Sequence, residues 1–159
     1  MSSPGHFKQR EAIRATWGNS FKHLTKNGHL VFQIGLSNDP FTNKLVKKEA
    51  LKFKDILLQD FTEDYYNLTL KSVLLLKYLH GLKYRPEFVF KIDDDVFLNV
   101  PKFLKEFSVK KYLGKISGHV YHQIKPVRYA FINTEWAKWI CPYWMYSQDV
   151  YPDFVAGPG

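Results

Sequence analysis

Short apolar runs alternate with longer stretches of helical periodicity along the chain. His29 to Gly35, HLVFQIG, is apolar enough for a buried strand and ends in a glycine turn. Asp55 to Leu58 (DILL) and Phe88 to Ile92 (FVFKI) read as two more short strands, and Leu113 to Tyr121 as a further one. Between them lie helices. Ser3-Pro4 opens one that runs from Phe7 to Trp17 and stops at Gly18. Phe41 to Phe53 forms the next. Glu63 and Asp64 suit the first turn of a third, because a helix N-terminus carries partial positive charge. That helix continues through NLTLKSVLLLKYLH towards Gly81. Its apolar positions cover most of its circumference, which predicts a well-buried helix. Pro101 begins another, PKFLKEFSV, and after Tyr121 the pattern turns irregular and aromatic.

Strands alternating with helices indicate an α/β domain with a mostly parallel sheet, whose ligands bind outside the carboxyl ends of the strands. The stretch FKIDDDVFLN puts Asp93, Asp94 and Asp95 at such an end. Three adjacent carboxylates repel one another and are costly to desolvate among Phe90, Ile92, Val96, Phe97 and Leu98. Either Lys91 and solvent balance them in an acidic turn, or a cation does. In extended chain Asp93 and Asp95 point together and Asp94 points away. Two converging carboxylates form a hard oxygen site for Mg²⁺ or Mn²⁺ that leaves coordination positions open for substrate phosphates. Metal-dependent phosphatases also place paired aspartates after a strand. Their Asp-x-Asp-x-Thr pattern is not matched here, because Val96-Phe97 follows Asp95.

Composition narrows the classes. A chain of 159 residues, 45% of them hydrophobic, suffices for one domain with a core and argues against disorder. Aromatic residues reach 17%, enough to fill that core or to line a saccharide site. The net charge of +8 is spread along the chain, and such a surface suits nucleic acid, anionic lipid or a phosphorylated small substrate. No zinc finger, RNP-type motif or basic arm is present, so nucleic acid is not an expected partner. Arg10 and Arg14 share a helix face, either solvated or aimed together at phosphate. Cys141 is the only cysteine, which excludes an internal disulfide and a multi-cysteine zinc site. No run approaches 18 apolar residues and no signal-like region opens the chain. The expectation is a cytosolic protein or one whose anchor lies upstream of this segment.

Several ordered stretches together resemble the β-1,3-galactosyltransferase family, which also includes β-1,3-N-acetylglucosaminyltransferases. They are Arg10-Glu11-Ala12-Ile13-Arg14-Ala15-Thr16-Trp17-Gly18, Phe32-Gln33-Ile34-Gly35, and Asp55-Ile56-Leu57-Leu58-Gln59-Asp60-Phe61. Tyr66-Asn67-Leu68-Thr69-Leu70-Lys71, Lys91-Ile92-Asp93-Asp94-Asp95-Val96-Phe97, Lys125-Pro126-Val127-Arg128 and the closing Tyr151 to Gly159 continue the series.

The resemblance implies a nucleotide-diphospho-sugar transferase fold (GT-A-like, Rossmann-like, with a mostly parallel sheet flanked by helices). It is expected to be incomplete at the C-terminus, so that residues 1–159 form a single partial glycosyltransferase domain. It implies a UDP-sugar donor, Mn²⁺ bound through Asp93 and Asp95, and inverting transfer of galactose or N-acetylglucosamine. The acceptor would be a hydroxyl of a glycan on glycoprotein or glycolipid, and the product a β-1,3 linkage. Arg10, Arg14, Lys71 and Asp94 are candidates for the nucleotide-sugar site, and Arg128, Trp139 and Trp144 for the acceptor side. The family's acidic base is expected beyond Gly159. Asp149-Val150-Tyr151 follows Gln148 where that motif has Glu, so the base is not carried onto it. The full-length protein would be a type II membrane protein of the Golgi lumen, anchored by an N-terminal helix absent here. Tyr84-Arg85-Pro86 stands where many members have Cys-Pro.

Asn67-Leu68-Thr69 is an N-glycosylation sequon on the helix read as buried. Two further readings stand beside the transferase: a truncated, catalytically inactive UDP-sugar-binding fragment, and a basic binding protein.

Overall fold

The computed structural model describes residues 1–107, 112, 114–129 and 135–156. The chain divides into two compact units, Met1–Leu113 and Gly114–Gly157.

In the first unit, β1 (Phe32–Leu36) and β2 (Ile56–Thr62) form a parallel pair. Phe32 lies opposite Ile56, Gln33 opposite Leu57 and Ile34 opposite Leu58; the register then shifts so that Leu36 meets Thr62. α3 (Pro40–Phe53) connects them, as parallel strands require. Asp39 caps α3 by accepting from Phe41 N and Thr42 N, and Lys54 ends it in the left-handed conformation (φ 56°). α1 (Phe7–Ala15), α2 (Trp17–Leu24) and α5 (Val100–Phe107) complete the packing around the core. That core is Ile13, Trp17, Phe32, Ile34, Val46 and Val100. Burial of each such side chain contributes about 1.5–3 kcal/mol. An α/β domain with parallel pairing is therefore what folds, though the described ladder has only these two strands.

Four sequence expectations need correction. Gly18 does not stop the first helix: the break falls at Thr16, and Gly18 lies inside α2. A Cβ there would stand 2.7 Å from Ile13 O and from Leu30 Cδ2, so glycine permits close approach rather than termination. Phe88–Ile92 joins no ladder among the described residues. Phe32 directs its N–H to Asp55 O, so Gln33 and Gly35 present their backbones to the other edge of β1. There Ser2 N donates to Gln33 O and the Glu63 carboxylate accepts from Gly35 N, filling the positions a third strand would use.

The third correction concerns Glu63, which is not in a helical first turn. Asp64 caps a 3₁₀ turn, Tyr65–Asn67, which leads into α4 (Leu68–His80). The fourth concerns the burial of α4. Its fully buried residue is Lys71, while Leu70, Val73 and Leu76 are exposed.

The second unit is held by short elements. β3 (Val120–Tyr121) pairs antiparallel with β4 (Phe154–Val155), a much shorter strand than Leu113–Tyr121; Leu113 lies outside the described residues. A bridge joins Val127 to Ile140.

Candidate functional site

The acidic triplet is a turn rather than extended chain, because Asp94 and Asp95 form its bend. This changes where the carboxylates point. All three border one cavity of about 190 Å³, walled also by Met1, Ser2, Ser3, Glu63, Leu68 and Lys71. Asp94 is not turned away as alternation would have it. It is the more buried carboxylate, 10% exposed against 42% for Asp93, and its Oδ2 lies 3.0 Å from His6 Nδ1. Asp93 stands 4.0 Å from the Met1 amino group, which also donates to Ile92 O. Burial pushes that amine below its ordinary value, against the opposing pull of Asp93. Asp95 is exposed and forms no hydrogen bond or ion pair among the described residues.

Lys71 supplies the cavity's buried cation. Its side chain is 2% exposed, and Nζ donates to Ser2 O (2.8 Å) and Glu63 Oε1 (2.7 Å). An ammonium has three donors, so one remains. Glu63 Oε2 accepts from Gly35 N at 2.7 Å, which ties Lys71 to the β1 edge. Lys71 thus joins Asp93, Asp94 and Asp95 as the sequence-nominated residues that meet.

Arg10 and Arg14 are placed differently. Arg10 is fully buried. Its Nε and Nη2 donate to Glu49, and its remaining donors reach Ser2 Oγ, Ser3 O and Pro4 O. All five guanidinium donors are therefore used within the protein, and none is left for a phosphate. Arg14 donates to Glu49 Oε1 and forks onto both oxygens of Asp55 (2.8 Å each), and it also stacks on Phe32 and Phe53. Burial opposes ionisation of Glu49. The hydrogen bonds from Arg10 and Arg14 outweigh it and hold the carboxyl below its ordinary value. Burial likewise opposes the Arg14 charge, and Asp55 and Glu49 together raise its pKa. Both arginines thus belong to one network with Glu49 and Asp55, and Arg14 alone keeps guanidinium donors without an acceptor among the described residues. Arg10's grip on Ser2-Ser3-Pro4 links the network to the cavity wall.

In the second unit, Arg128 donates to Cys141 O (2.8 Å), Tyr146 O (2.7 Å) and Gln148 O, with its guanidinium 3.9 Å from the Tyr143 ring centre. Trp139 is half-exposed with Lys138 Nζ over its ring, and Trp144 is 83% exposed. Arg128 holds a loop together, and Trp144 offers an open ring face. Cys141 is free, and its hydrogen bond to the Tyr151 hydroxyl, aided by burial, raises the tyrosine pKa. Asn67 sits at the N-cap of α4, where its Nδ2 donates to Thr62 O at 2.9 Å.

His6, Glu63 and Glu49 carry much of this arrangement and were not singled out for it from sequence. Glu49 had a visible signal: it is the sole acid within a lysine-rich helix. His6 had none.

Among the described residues no three His, Cys, Asp or Glu side chains converge as a complete metal cage. Two carboxylates with an unpartnered Asp95 are still a fitting donor set for a hard divalent cation that shares its remaining positions with ligand oxygens.

The galactosyltransferase family model matches residues 8–159. A lactosylceramide 1,3-N-acetyl-beta-D-glucosaminyltransferase A from Danio rerio is 34% identical over 99% of this chain and 43% of its own length. A Xenopus laevis protein of the same name is 30% identical over 98% of this chain and 42% of its own. A beta-1,3-galactosyltransferase 1 from Mus musculus is 32% identical over 96% and 46%, respectively. The chain spans less than half the length of these curated relatives.

Proposed function

The chain belongs to the galactosyltransferase family, and from that premise we propose that it holds the nucleotide-sugar donor of a hexosyltransferase. The proposed reaction moves galactose or N-acetylglucosamine from a UDP-sugar to a glycan hydroxyl with inversion, forming a β-1,3 linkage. The setting proposed for the whole protein is a GT-A-like domain in the Golgi lumen, anchored to the membrane. Relatives named for lactosylceramide support an acceptor glycan carried on lipid, and one named for β-1,3-galactosyl transfer supports the linkage.

One observation carries the reading. The acidic triplet and a buried lysine border the same cavity. Its volume of about 190 Å³ is small beside ordinary ligand pockets of roughly 300–1,000 Å³, so it suits the charged diphosphate end of a donor rather than the whole molecule. Asp93 and Asp95 would hold Mn²⁺. When bound, the metal supplies Lewis-acid neutralisation of charge on the leaving diphosphate. Lys71 would offer its remaining donor to the same negative charge, while Glu63 and Ser2 fix its side chain so that little reorganisation is needed. Asp94, held by His6, is free of the metal role and available to a ribose hydroxyl.

The test is a calorimetric UDP titration with and without Mn²⁺ on the parent chain and Asp95→Ala. Metal-dependent binding that disappears in Asp95→Ala supports the assignment. Metal-dependent binding of equal strength in the variant removes it. A chain that binds donor without turnover is the second reading. A transfer assay on the 159-residue chain separates the two.

A further inference from the structure

Three carboxylates border the candidate donor cavity, but one of them is tied down from outside it. His6 is not part of the cavity wall, yet its Nδ1 lies 3.0 Å and 3.2 Å from the two Asp94 oxygens. The ring is placed by main chain. His6 is the N-cap residue of α1, its N–H donates to Ser3 O, and its carbonyl accepts from Arg10 N. The imidazole makes no cap hydrogen bond of its own, so Nδ1 is given over to Asp94. The neutral ring with its proton on Nδ1 and the imidazolium can both donate there. Asp93 and Asp95 are held less firmly: Asp93 stands 4.0 Å from the Met1 amine, and Asp95 has no partner among the described residues.

We propose that His6 is a positioning residue that limits the carboxylates this site gives a cation to Asp93 and Asp95, and so sets its preference for Mn²⁺ over Ca²⁺. The inference rests on the donor-site reading above and adds what regulates that site's selectivity. Asp94 already borders the cavity, so a side-chain rotation would suffice to turn it inward. That rotation would give up the bond to His6. A third carboxylate would change the character of the site. Ca²⁺ takes about six to eight oxygens in loose geometry and gains from each one added. A smaller octahedral cation with two carboxylates keeps positions open for diphosphate oxygens. A plain strut between α1 and the acidic turn has the opposite signature, because its loss would loosen the turn and weaken metal binding.

The experiment is a nucleotide-free Mn²⁺ titration of the full chain, read by electron paramagnetic resonance of the unbound ion, with Ca²⁺ as competitor. The parent is compared with His6→Ala, His6→Asn, and His6→Ala combined with Asp94→Ala, and circular dichroism verifies the fold of each. His6→Ala should bind Mn²⁺ at least about threefold more tightly, and its preference for Mn²⁺ over Ca²⁺ should fall. His6→Asn, whose amide replaces the Nδ1 donor, should restore the parent's values. Adding Asp94→Ala should cancel the gain. Unchanged or weaker Mn²⁺ binding in His6→Ala overturns the proposal, as does a gain that survives Asp94→Ala or persists in His6→Asn. Asp95→Ala tests the donor site separately. Mn²⁺ binding that is absent throughout, or indifferent to Asp95→Ala, removes the site and the role of His6 together. Asp95-dependent binding that ignores His6 removes only the role of His6.

Discussion

Arg10 offers the sharpest separation between a structural and a ligand-binding role. Arg10→Met keeps most of the apolar stem and deletes every donor. Glu49, whose side chain is 9% exposed, is then left with Arg14 alone, Pro4 O loses its Arg10 donor, and Ser3 O keeps only His6 N and Ser2 Oγ. Breaking a buried ion pair by removing one partner costs about 3–5 kcal/mol. For a chain of 159 residues, at roughly 2–4 °C per kcal/mol, the melting temperature should fall by roughly 6–20 °C. Urea unfolding of Arg10→Met, Glu49→Met and the double variant gives the coupling directly, and the double variant should recover part of the loss. Arg10→Lys is expected to remain destabilised, because one ammonium cannot replace the fork that reaches both Glu49 and the Ser2-Ser3-Pro4 segment. Unchanged stability in Arg10→Met combined with lost UDP affinity would refute this reasoning and return Arg10 to the donor site.

Acid should expose the same network. The Glu49 carboxyl is held below its ordinary value of 4.5, so its contribution is fully present above that pH and is lost as pH falls through the folded value. Unfolding midpoints measured from pH 6 downward should therefore drop in acid, and Glu49→Gln should flatten that drop. Gly35→Ala places a Cβ 2.8 Å from Phe61 O and the Phe61 ring, and should cost about 1–3 kcal/mol in urea unfolding. Gly81→Ala meets Tyr78 O at 3.5 Å and Lys77 O at 3.6 Å, both ordinary contacts, and serves as its neutral control.

Local signals were legible where the chain decides locally. The helix read from Phe41 to Phe53 is α3 to within a residue, because its ends are set by a cap and a left-handed stop. The strand read at Asp55–Leu58 was cut short because Gln59 and Asp60 interrupt the apolar run, although β2 continues to Thr62. Phe88–Ile92 has strand composition, yet an edge already filled by Ser2 and Glu63 leaves it no ladder. Such competition for one edge lies beyond any window of sequence. The triplet and Lys71 could be nominated from residue type. For Arg10 and Arg14, spacing of four says that they share a face, but not that a glutamate from another helix will reach it.

The Glu63 carboxylate, seated against Gly35 N on the outer edge of β1, bears also on how the chain behaves in company. An open strand edge is a template for a second copy. Here Ser2 and a side chain, rather than a neighbouring strand, occupy that edge. The Lys71 contact that orders the candidate donor cavity also holds the guard in place. Loss of that one pair would loosen a ligand site and uncover an adhesive edge at once, coupling affinity to solubility through a single carboxylate.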